Sequence, residues 1–161
     1  MSGAVSLRAL TVEDADVMSR VLADPTLYEF IGGEPSSVEE LERRYAFQTR
    51  GGSPDGTKEW INLVVVLEPG DEPIGYVQAT VPRDGGPAEI AWVIGRAWQG
   101  RGHATRAAQL LVERLEARGV RDLVAHIHPR HTASQVIARK LGMDPTDIMV
   151  DGETRWQRTA E

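Results

Sequence analysis

Apolar residues recur at helical spacing in the segment 12–23. They fall three or four positions apart, which places them on one face of a helix. Thr11, with Asp14 three residues later, is a variant of the capping box that begins many helices. Asp24-Pro25 disfavours helical backbone beyond this point, so we expect the helix to end there.

A second helix is predicted from Ser36 and Ser37 to about Thr49. Each serine is followed three residues later by a glutamate, the signature of a helix start. The apolar residues of this segment, Val38, Leu41 and Tyr45, share one face. The glycine-rich segment 51–56 that follows is typical of a loop.

From Trp60 onward the pattern changes to β-branched and alternating positions, which are typical of strands. Three strands are predicted, at 61–67, 74–81 and Ala88–Ile94. Turn-forming residues at 69–71 and 84–86 separate them. Because such short turns connect neighbouring strands, we expect an antiparallel meander.

The last third of the chain alternates between helices and strands. The predicted elements are a helix at 103–118 that Gly119 ends, a strand at Leu123–Ile127, a helix at 133–141 that Gly142 closes, and a hairpin that joins 148–150 to 154–156 through Asp151-Gly152. With one strand at the start, the order is strand, two helices, three strands, helix, strand, helix, hairpin. This order predicts a mixed α/β fold in a single domain, 1–161, because neither a repeat nor a linker interrupts it.

Composition narrows the class of protein. The 161 residues carry 18 basic and 24 acidic side chains, a net charge of −6, and no cysteine. A chain of this length buries enough surface to fold without disulfides or structural metals. No apolar run approaches the roughly 20 residues of a membrane span, and the first six residues lack the pattern of a signal peptide. We therefore expect a cytoplasmic protein without a membrane partner, and the acidic balance argues against nucleic acid.

The segment 98–105 carries the most specific chemistry. It contains Gly100 and Gly102 and lies between the end of a predicted strand and the start of a predicted helix. Two glycines let several backbone N–H groups turn inward, and the helix start adds partial positive charge. The segment therefore predicts a site for an anion, although the spacing alone is equally compatible with an ordinary strand-to-helix turn.

Two common phosphate motifs do not fit this segment. A P-loop requires Gly-Lys-Ser/Thr, and the segment contains no lysine. The dinucleotide fingerprint requires a third glycine where Thr105 stands, and an acidic residue at the end of the next strand, whereas Asp122 precedes that strand.

A third motif does fit. Gln99-Gly100-Arg101-Gly102-His103-Ala104 resembles the Gln/Arg-x-x-Gly-x-Gly/Ala motif of the GNAT superfamily of acyl-CoA N-acyltransferases. The order of elements matches that family over nearly the whole chain. Further matching segments, similar to the branch that contains bacterial ribosomal-protein N-terminal acetyltransferases, are Leu7-Arg8-Ala9-Leu10 with Asp14-Ala15, Asp24-Pro25-Thr26-Leu27-Tyr28, Pro73-Ile74-Gly75, Ala88-Glu89-Ile90, and Ala133-Ser134 through Lys140-Leu141-Gly142-Met143.

The resemblance implies a central, mostly antiparallel and splayed sheet flanked by about four helices, with acetyl-CoA (coenzyme A) as cofactor. In this family the 98–105 turn holds the pyrophosphate on main-chain amides, and the strand edge that ends at Ile94 pairs with pantetheine. The implied cofactor-binding residues are Trp92, Val93, Ile94, Gln99, Gly100, Arg101, Gly102, His103, Ala104, Thr105, His131 and Ser134. Arg106 replaces an acidic residue common in this branch, and we interpret it as a solvated helix residue.

Transfer of an acyl group to an amine needs a neutral amine and a stabilised leaving thiolate. At pH 7, an α-amino group of pKa near 8 costs roughly 1.4 kcal/mol to deprotonate, and a lysine near 10.4 roughly 4.6 kcal/mol. The resemblance implies that Glu89 is the base, directly or through a water. An ordinary outward-facing carboxylate on an alternating strand would show the same pattern.

For the thiolate, Ser134 matches the serine of the family's Asn-x-x-Ser, which lies near the sulfur in this branch. His131 stands at the asparagine position, where imidazole can donate a hydrogen bond but changes charge near pH 6.5. Ser134 could also cap the helix. The tyrosine acid of other branches has no counterpart, because the three tyrosines are Tyr28, Tyr45 and Tyr76.

The histidines His103, His126, His128 and His131 raise the question of a metal. His126 and His128 fall on one face of a predicted strand. Since neither cysteine nor a carboxylate cluster is close to them in sequence, we predict no metal site.

The acceptor amine is expected between the first two helices and the terminal hairpin. Tyr28, Glu29, Phe30 and Glu34 belong to the loop there, and Trp156 to the hairpin. Carboxylates could hold a cation and aromatics its body, but a plain loop with core aromatics is equally compatible. The acceptor could be a peptide N-terminus, a polyamine or a small amine, and the protein a monomer or a homodimer.

The resulting hypothesis is an N-acetyltransferase that moves an acetyl group from acetyl-CoA directly to a primary amine. A non-catalytic acyl-CoA sensor is the alternative, because His131 replaces asparagine and the tyrosine acid is missing. A nucleotide-binding module is a third possibility.

Overall fold

The computed structural model describes residues 4–159. Residues 1–3 and 160–161, which include the beginning of the segment inspected for a signal peptide and both ends of the expected domain, lie outside the described range. The strands are β1 (Val5–Ala9), β2 (Lys58–Leu67), β3 (Glu72–Pro82), β4 (Ala88–Ile94), β5 (Leu123–Ile127), β6 (Asp144–Val150) and β7 (Glu153–Arg158). The α-helices are α1 (Asp14–Val21), α2 (Val38–Gln48), α3 (His103–Ala117) and α4 (Thr132–Lys140), with 3₁₀ turns at Pro25–Tyr28 and Arg96–Trp98.

The strands of residues 4–159 form one seven-stranded sheet in the order β1-β2-β3-β4-β5-β7-β6. Neighbours are antiparallel except for β4 and β5, which are parallel. This parallel pair is joined only at Ala88 with Leu123 and at Glu89 with Val124, after which the strands separate. The mixed α/β fold, with a mostly antiparallel splayed sheet and four α-helices in the described range, is confirmed.

The two faces of the sheet carry separate cores. One core joins the apolar sides of α3 and α4 to the sheet and includes Leu111, Leu115 and Ile137. The other joins α1 and α2 to the opposite face and includes Met18, Leu41 and Tyr45. Residues on β4 alternate between these faces, so Glu89, Ala91 and Val93 lie on the side of α1 and α2.

The predicted element boundaries agree with the structure where a capping residue or a turn residue marks them. Ser37 caps α2, and Glu40 returns the hydrogen bond, which completes the predicted capping box. Asp151 and Gly152 both have positive φ, as the predicted tight hairpin turn requires. The strands of this hairpin extend further than 148–150 and 154–156, because partly exposed polar residues continue the pairing without an apolar signal. Neither 3₁₀ turn was predicted.

The start of α1 is held by a charged pair. Asp14 is buried and accepts hydrogen bonds from both terminal nitrogens of Arg8, at 3.0 and 2.7 Å, and from the backbone of Thr11 at 2.8 Å. Burial by itself would raise the pKa of Asp14, but the bonds from Arg8 and Thr11 outweigh it and lower the pKa. The pair ties β1 to α1.

Candidate functional site

The 98–105 segment forms an open turn in front of α3. Gly100 and Gly102 have φ of 79° and 84°, a left-handed conformation that glycine adopts without steric cost. A Cβ at either position would meet no atom within 4 Å, so the space before the turn is open. The helix bonds of α3 begin with Arg106 N–H to the Gly102 carbonyl at 3.1 Å.

The amides before that bond face outward from the helix end. Those of His103, Ala104 and Thr105 have no acceptor among residues 4–159, and the first turn of α3 contains no acidic side chain and no side-chain cap. A helix start of this kind attracts an anion through its N–H groups and its dipole. The geometry therefore fits a phosphate group.

Side chains around the turn differ in role. The Gln99 amide donates to the Ile94 carbonyl at 2.9 Å and so fastens the turn to the end of β4. Arg101 is exposed at the turn. Arg106 lies 3.7 Å from Glu113 on the exposed side of α3, as expected of a solvated helix residue. The His103 ring is buried, with an Nε2 that has no partner among residues 4–159, so its contribution to the turn is its backbone amide.

The separation of β4 from β5 leaves a gap beside the turn. On the side facing β5, the backbone of β4 beyond Glu89 has no strand partner in the described part of the chain. Trp92, Val93 and Ile94 form this edge, and the 98–105 turn follows it after the short 3₁₀ turn at Arg96–Trp98. Free N–H and C=O groups along a strand can pair with an extended amide-containing ligand.

Trp92 and Ser134 meet across this gap. The Trp92 indole N–H donates to Ser134 Oγ at 3.2 Å, and Ser134 is buried. His131, and not Ser134, occupies the N-cap of α4, so the capping role considered for Ser134 is wrong. The hydroxyl proton of Ser134 therefore remains available to an acceptor, and His131 Nε2 lies 3.4 Å away.

His131 also contacts the loop that joins the first two helices. The Phe30 ring stacks on His131 with centroids 4.8 Å apart, and it lies 5.2 Å from His128 in a tilted arrangement. Burial lowers the pKa of His131, His128 lowers it further, and Glu29 raises it in part. Phe30 and Glu29, predicted in the acceptor region, thus lie beside the predicted cofactor residue His131.

Glu89 is paired with a residue that sequence reasoning did not assign. His126 Nδ1 lies 2.8 Å from Glu89 Oε2 across the β4–β5 junction. Glu153 of β7 is close by, and burial together with the charges of Glu89 and Asp151 raises its pKa, while His126 and His128 lower it. The tertiary structure therefore brings two carboxylates close to His126, although neither is near it in sequence. Among the described residues, no group of three or more His, Asp or Glu side chains is arranged to hold a metal ion.

A cavity of about 230 Å³ lies between the first two helices and the face of β2, β3 and β4. Its polar lining brings together the three tyrosines of the chain, Tyr28, Tyr45 and Tyr76, with Arg44, Gln48 and Gln78. Leucines from α1, the loop and β2 complete the wall with Ile31 and Val93. Because Val93 belongs to the free edge of β4, the cavity adjoins the gap.

Amide side chains beside the cavity connect β3, β2 and α2. Gln78 donates to Asn62 at 3.0 Å, and Asn62 donates to the Gln48 carbonyl at 3.3 Å. Gln78 is the cross-strand partner of Ala91, two residues from Glu89 on the same face. Because α2 and β3 are far apart in sequence, the sequence contains little signal for this cluster beyond the polar residues that alternate along β3.

Trp156 does not belong to this region. It is 2% exposed in the core beneath α3 and α4, with the Arg139 guanidinium 5.0 Å above its ring. Its expected contact with the acceptor is corrected, because strand alternation on β7 points it into the core. The cavity itself is lined by the sheet face and not by the hairpin. Tyr28 lines it and donates to the Leu22 carbonyl at 2.9 Å.

Among residues 4–159, none of the helices combines the length and the apolar character needed to cross a bilayer.

Comparisons with known proteins agree with this geometry. A family model described as Acetyltransferase (GNAT) domain matches residues 5–144. The chain is 24% identical over 151 residues to the uncharacterized N-acetyltransferase p20 of Bacillus licheniformis, covering 92% of this chain and 84% of that protein. Its fold is similar to an acetyltransferase from Thermus thermophilus, with a TM-score of 0.79, 24% identity, and coverage of 98% and 99% of the two chains. It is also similar to RimL, a ribosomal L7/L12 alpha-N-protein acetyltransferase solved with coenzyme A, with a TM-score of 0.78, 18% identity, and coverage of 96% and 93%.

Proposed function

The chain belongs to the GNAT acetyltransferase family, and from this premise we propose that it transfers an acetyl group from acetyl-CoA directly to a primary amine. Family membership makes it an acetyl-CoA-dependent acetyltransferase. The observation that carries the proposal is the junction of the open α3 turn with the unpaired edge of β4.

The junction fits two neighbouring parts of coenzyme A, the diphosphate and the pantetheine arm. The amides of His103, Ala104 and Thr105 offer donors to a diphosphate, and Arg101 adds an exposed positive charge. The edge formed by Trp92, Val93 and Ile94 offers donors and acceptors to the amides of the pantetheine arm. Because the turn follows this edge after only a few residues, one extended molecule can contact both.

Acetyl-CoA, when bound, supplies an activated acetyl group, so that a C–N bond to the amine forms as the C–S bond of the thioester breaks. The attacking amine must first be neutral, and Glu89 is the proposed base for the proton that its ammonium form releases. The Glu89 carboxylate accepts from His126 Nδ1–H, and this bond holds the carboxylate in place.

Ser134 is the proposed partner of the leaving sulfur. The Ser134 oxygen already accepts a hydrogen bond from Trp92, so the Ser134 hydroxyl proton points away from Trp92. A hydroxyl held in this way can donate a hydrogen bond to the thiolate, which then takes up the second amine proton. The reaction is balanced, since one amine and one thioester give one amide and one thiol.

A thiol-release assay with acetyl-CoA tests the proposal. The amine panel contains peptides with free N-termini, because RimL is named as an alpha-N-protein acetyltransferase, together with small amines. We expect free thiol to appear in step with an acetylated amine in the mass spectrum. Calorimetry with acetyl-CoA runs in parallel. Binding of acetyl-CoA without thiol release from any amine would favour the non-catalytic sensor that His131 at the asparagine position suggests.

A further inference from the structure

The cavity that adjoins β4 has an unusual distribution of charge. Arg44 is the one charged residue among those that line it, and no carboxylate belongs to the lining. Its other polar groups are phenol and amide side chains. A polycationic amine would therefore find no counter-charge in the cavity and would be repelled by Arg44.

Arg44 is exposed, and its charge interacts with that of Glu40 without direct contact. The guanidinium donates to Ser36 Oγ at 3.0 Å, and no carboxylate of residues 4–159 lies within 4.0 Å of it. Glu40, one turn earlier on α2, accepts instead from the Ser37 backbone at 3.0 Å. Arg44 therefore retains donors that suit a carboxylate, which guanidinium binds in a two-pronged geometry.

The tyrosines around Arg44 remain neutral. Burial raises the pKa of Tyr76 to about 12 and also raises the pKa values of Tyr45 and Tyr28, so none of them supplies a phenolate at neutral pH. Their hydroxyl groups act as neutral hydrogen-bond partners and do not replace an anionic ligand.

The size and walls of the cavity limit its occupant. A volume of about 230 Å³ lies below the roughly 300–1,000 Å³ typical of sites for drug-sized ligands. Leucine side chains, including Leu22 and Leu63, form much of the wall. The occupant is therefore compact and partly apolar, with an anionic group that Arg44 can bind.

We propose that this cavity binds the acceptor as a small amine that also carries a carboxylate, with Arg44 holding the carboxylate and the amine directed toward the edge of β4. The inference rests on the proposed transfer reaction and adds the class of acceptor to it. Arg44 is on α2 at the outer side of the cavity, whereas Gln78 and Val93 lie at the side of β4. An amino acid in which several bonds separate the amine from the carboxylate can present its two charged groups to these opposite sides.

Matched probe pairs test this class. L-leucine is compared with L-leucinamide, and 6-aminohexanoate with its amide, so that each pair differs in the carboxylate and the two pairs differ in spacing. Binding is measured by calorimetry on the full chain saturated with coenzyme A, and transfer is measured by thiol release from acetyl-CoA. We expect at least one carboxylate probe to bind about tenfold more tightly than its amide, or to show a KM about tenfold lower, which corresponds to about 1.4 kcal/mol.

Two variants on the same helix provide the control. Arg44→Gln should remove the preference for the carboxylate probe and leave the affinity for coenzyme A unchanged. Arg43→Gln removes a neighbouring exposed positive charge that does not line the cavity, and it should keep the preference. Equal binding of probe and amide in both pairs, or the same preference in Arg44→Gln as in the wild type, would overturn the proposal. Tighter binding of spermidine or of a peptide than of every carboxylate probe would do the same.

The calorimetric arm separates this inference from the proposed function. Carboxylate-dependent binding without thiol release would support the binding class and count against the transfer reaction. Thiol release with amines whose KM does not change in Arg44→Gln would support the transfer reaction and count against a carboxylate-bearing acceptor.

Discussion

At the residue scale, two carboxylates, Asp14 and Glu89, differ in burial and therefore in the role that each can have. Asp14 is buried and held by several donors, so its charge fastens β1 to α1. The Glu89 side chain is 56% exposed and contacts one partner, His126. An exposed carboxylate can exchange protons with a ligand or with water, whereas a buried and saturated one cannot do so without loss of stability.

Replacing Asp14 with Asn should lower the free energy of unfolding by about 2 kcal/mol at pH 7, because charge-assisted hydrogen bonds to Arg8 and Thr11 are lost. The pKa of Asp14 is lower in the folded than in the unfolded state, so this stabilisation is complete above the unfolded value of about 4 and is lost as the pH falls through the folded value. The difference between wild type and variant in urea unfolding should therefore shrink below about pH 4.

Asp16→Asn provides the control on the same helix. Asp16 is exposed and lies 3.3 Å from Arg20, a surface pair worth well under about 1 kcal/mol. Equal losses of stability in the two variants at pH 7 would show that burial of Asp14 does not determine its contribution.

For Glu89→Gln, we expect turnover to fall by at least about 100-fold, because the amide keeps an oxygen for His126 but cannot accept the amine proton. The affinity for acetyl-CoA should stay the same. Glu153→Gln removes a negative charge from the same cluster and should have a much smaller effect on turnover. If the pH–rate profile of Glu89→Gln matches that of the wild type, Glu89 is not the base.

At the element scale, α3 and the turn before it form the proposed anion site, because the helix lacks a capping side chain of its own. Its first turn has neither an acidic residue nor a capping side chain, so its amides stay available. By contrast, Ser37 and Glu40 satisfy the start of α2. The presence of a capping side chain in α2 and its absence in α3 follow from the first residues of each helix, so the sequence alone indicates this difference.

Gly102→Glu should abolish detectable binding of acetyl-CoA in calorimetry, since its carboxylate would place negative charge at the free amides of α3. Glutamate at a φ of 84° costs about 1–2 kcal/mol of backbone strain, which is small against the stability of a folded domain, so the fold should persist in circular dichroism. Gly102→Gln is the matched control, because glutamine has the size and the backbone strain of glutamate but carries no charge. Wild-type affinity in Gly102→Glu would remove the turn from the site.

The β3–β4 pair depends on Gly75. A Cβ at this position would lie 2.1 Å from the Val93 carbonyl oxygen, so Gly75→Ala must push the strands apart. We expect a loss of about 2 kcal/mol in urea unfolding, together with weaker binding of acetyl-CoA, because Val93 forms the free edge. Gly70→Ala, in the preceding turn, meets no atom within 4 Å and should change neither quantity.

At the scale of the whole molecule, one sheet packs against helices on both of its faces. The gap where β4 and β5 separate is accessible from both faces. The turn before α3 and the start of α4 border the gap from one layer, and the loop with Phe30 borders it from the other. A ligand in the gap would therefore contact the turn before α3, the start of α4 and the loop with Phe30 at the same time.

Binding of acetyl-CoA should accordingly stabilise the folded chain. At a concentration of 100 times Kd, the gain is about 2.7 kcal/mol, which corresponds to a rise in Tm of roughly 5–10 °C for a chain of this size. Scanning calorimetry measures the shift, with Gly102→Glu as the variant that should show none. A shift of equal size with ATP would favour the nucleotide-binding alternative.

Much of this architecture follows from short-range signals in the sequence. Periodicity, caps and turn glycines act within a few residues, so they determined the order of helices and strands and the turn at 98–105. The family motif depends on the same short spacing, and it led to the correct fold.

Contacts between distant segments were decided only by the tertiary structure. Pairing of His126 with Glu89 and assembly of Tyr28, Tyr45 and Tyr76 around a cavity both depend on strand order and on which helix covers which face. Trp156 shows the same limit, since its aromatic ring suits an acceptor site as well as a core until the register of β7 places it in the core. Local patterns carry the conformation of each segment, but a site depends on distances between segments, and these are set when the sheet assembles.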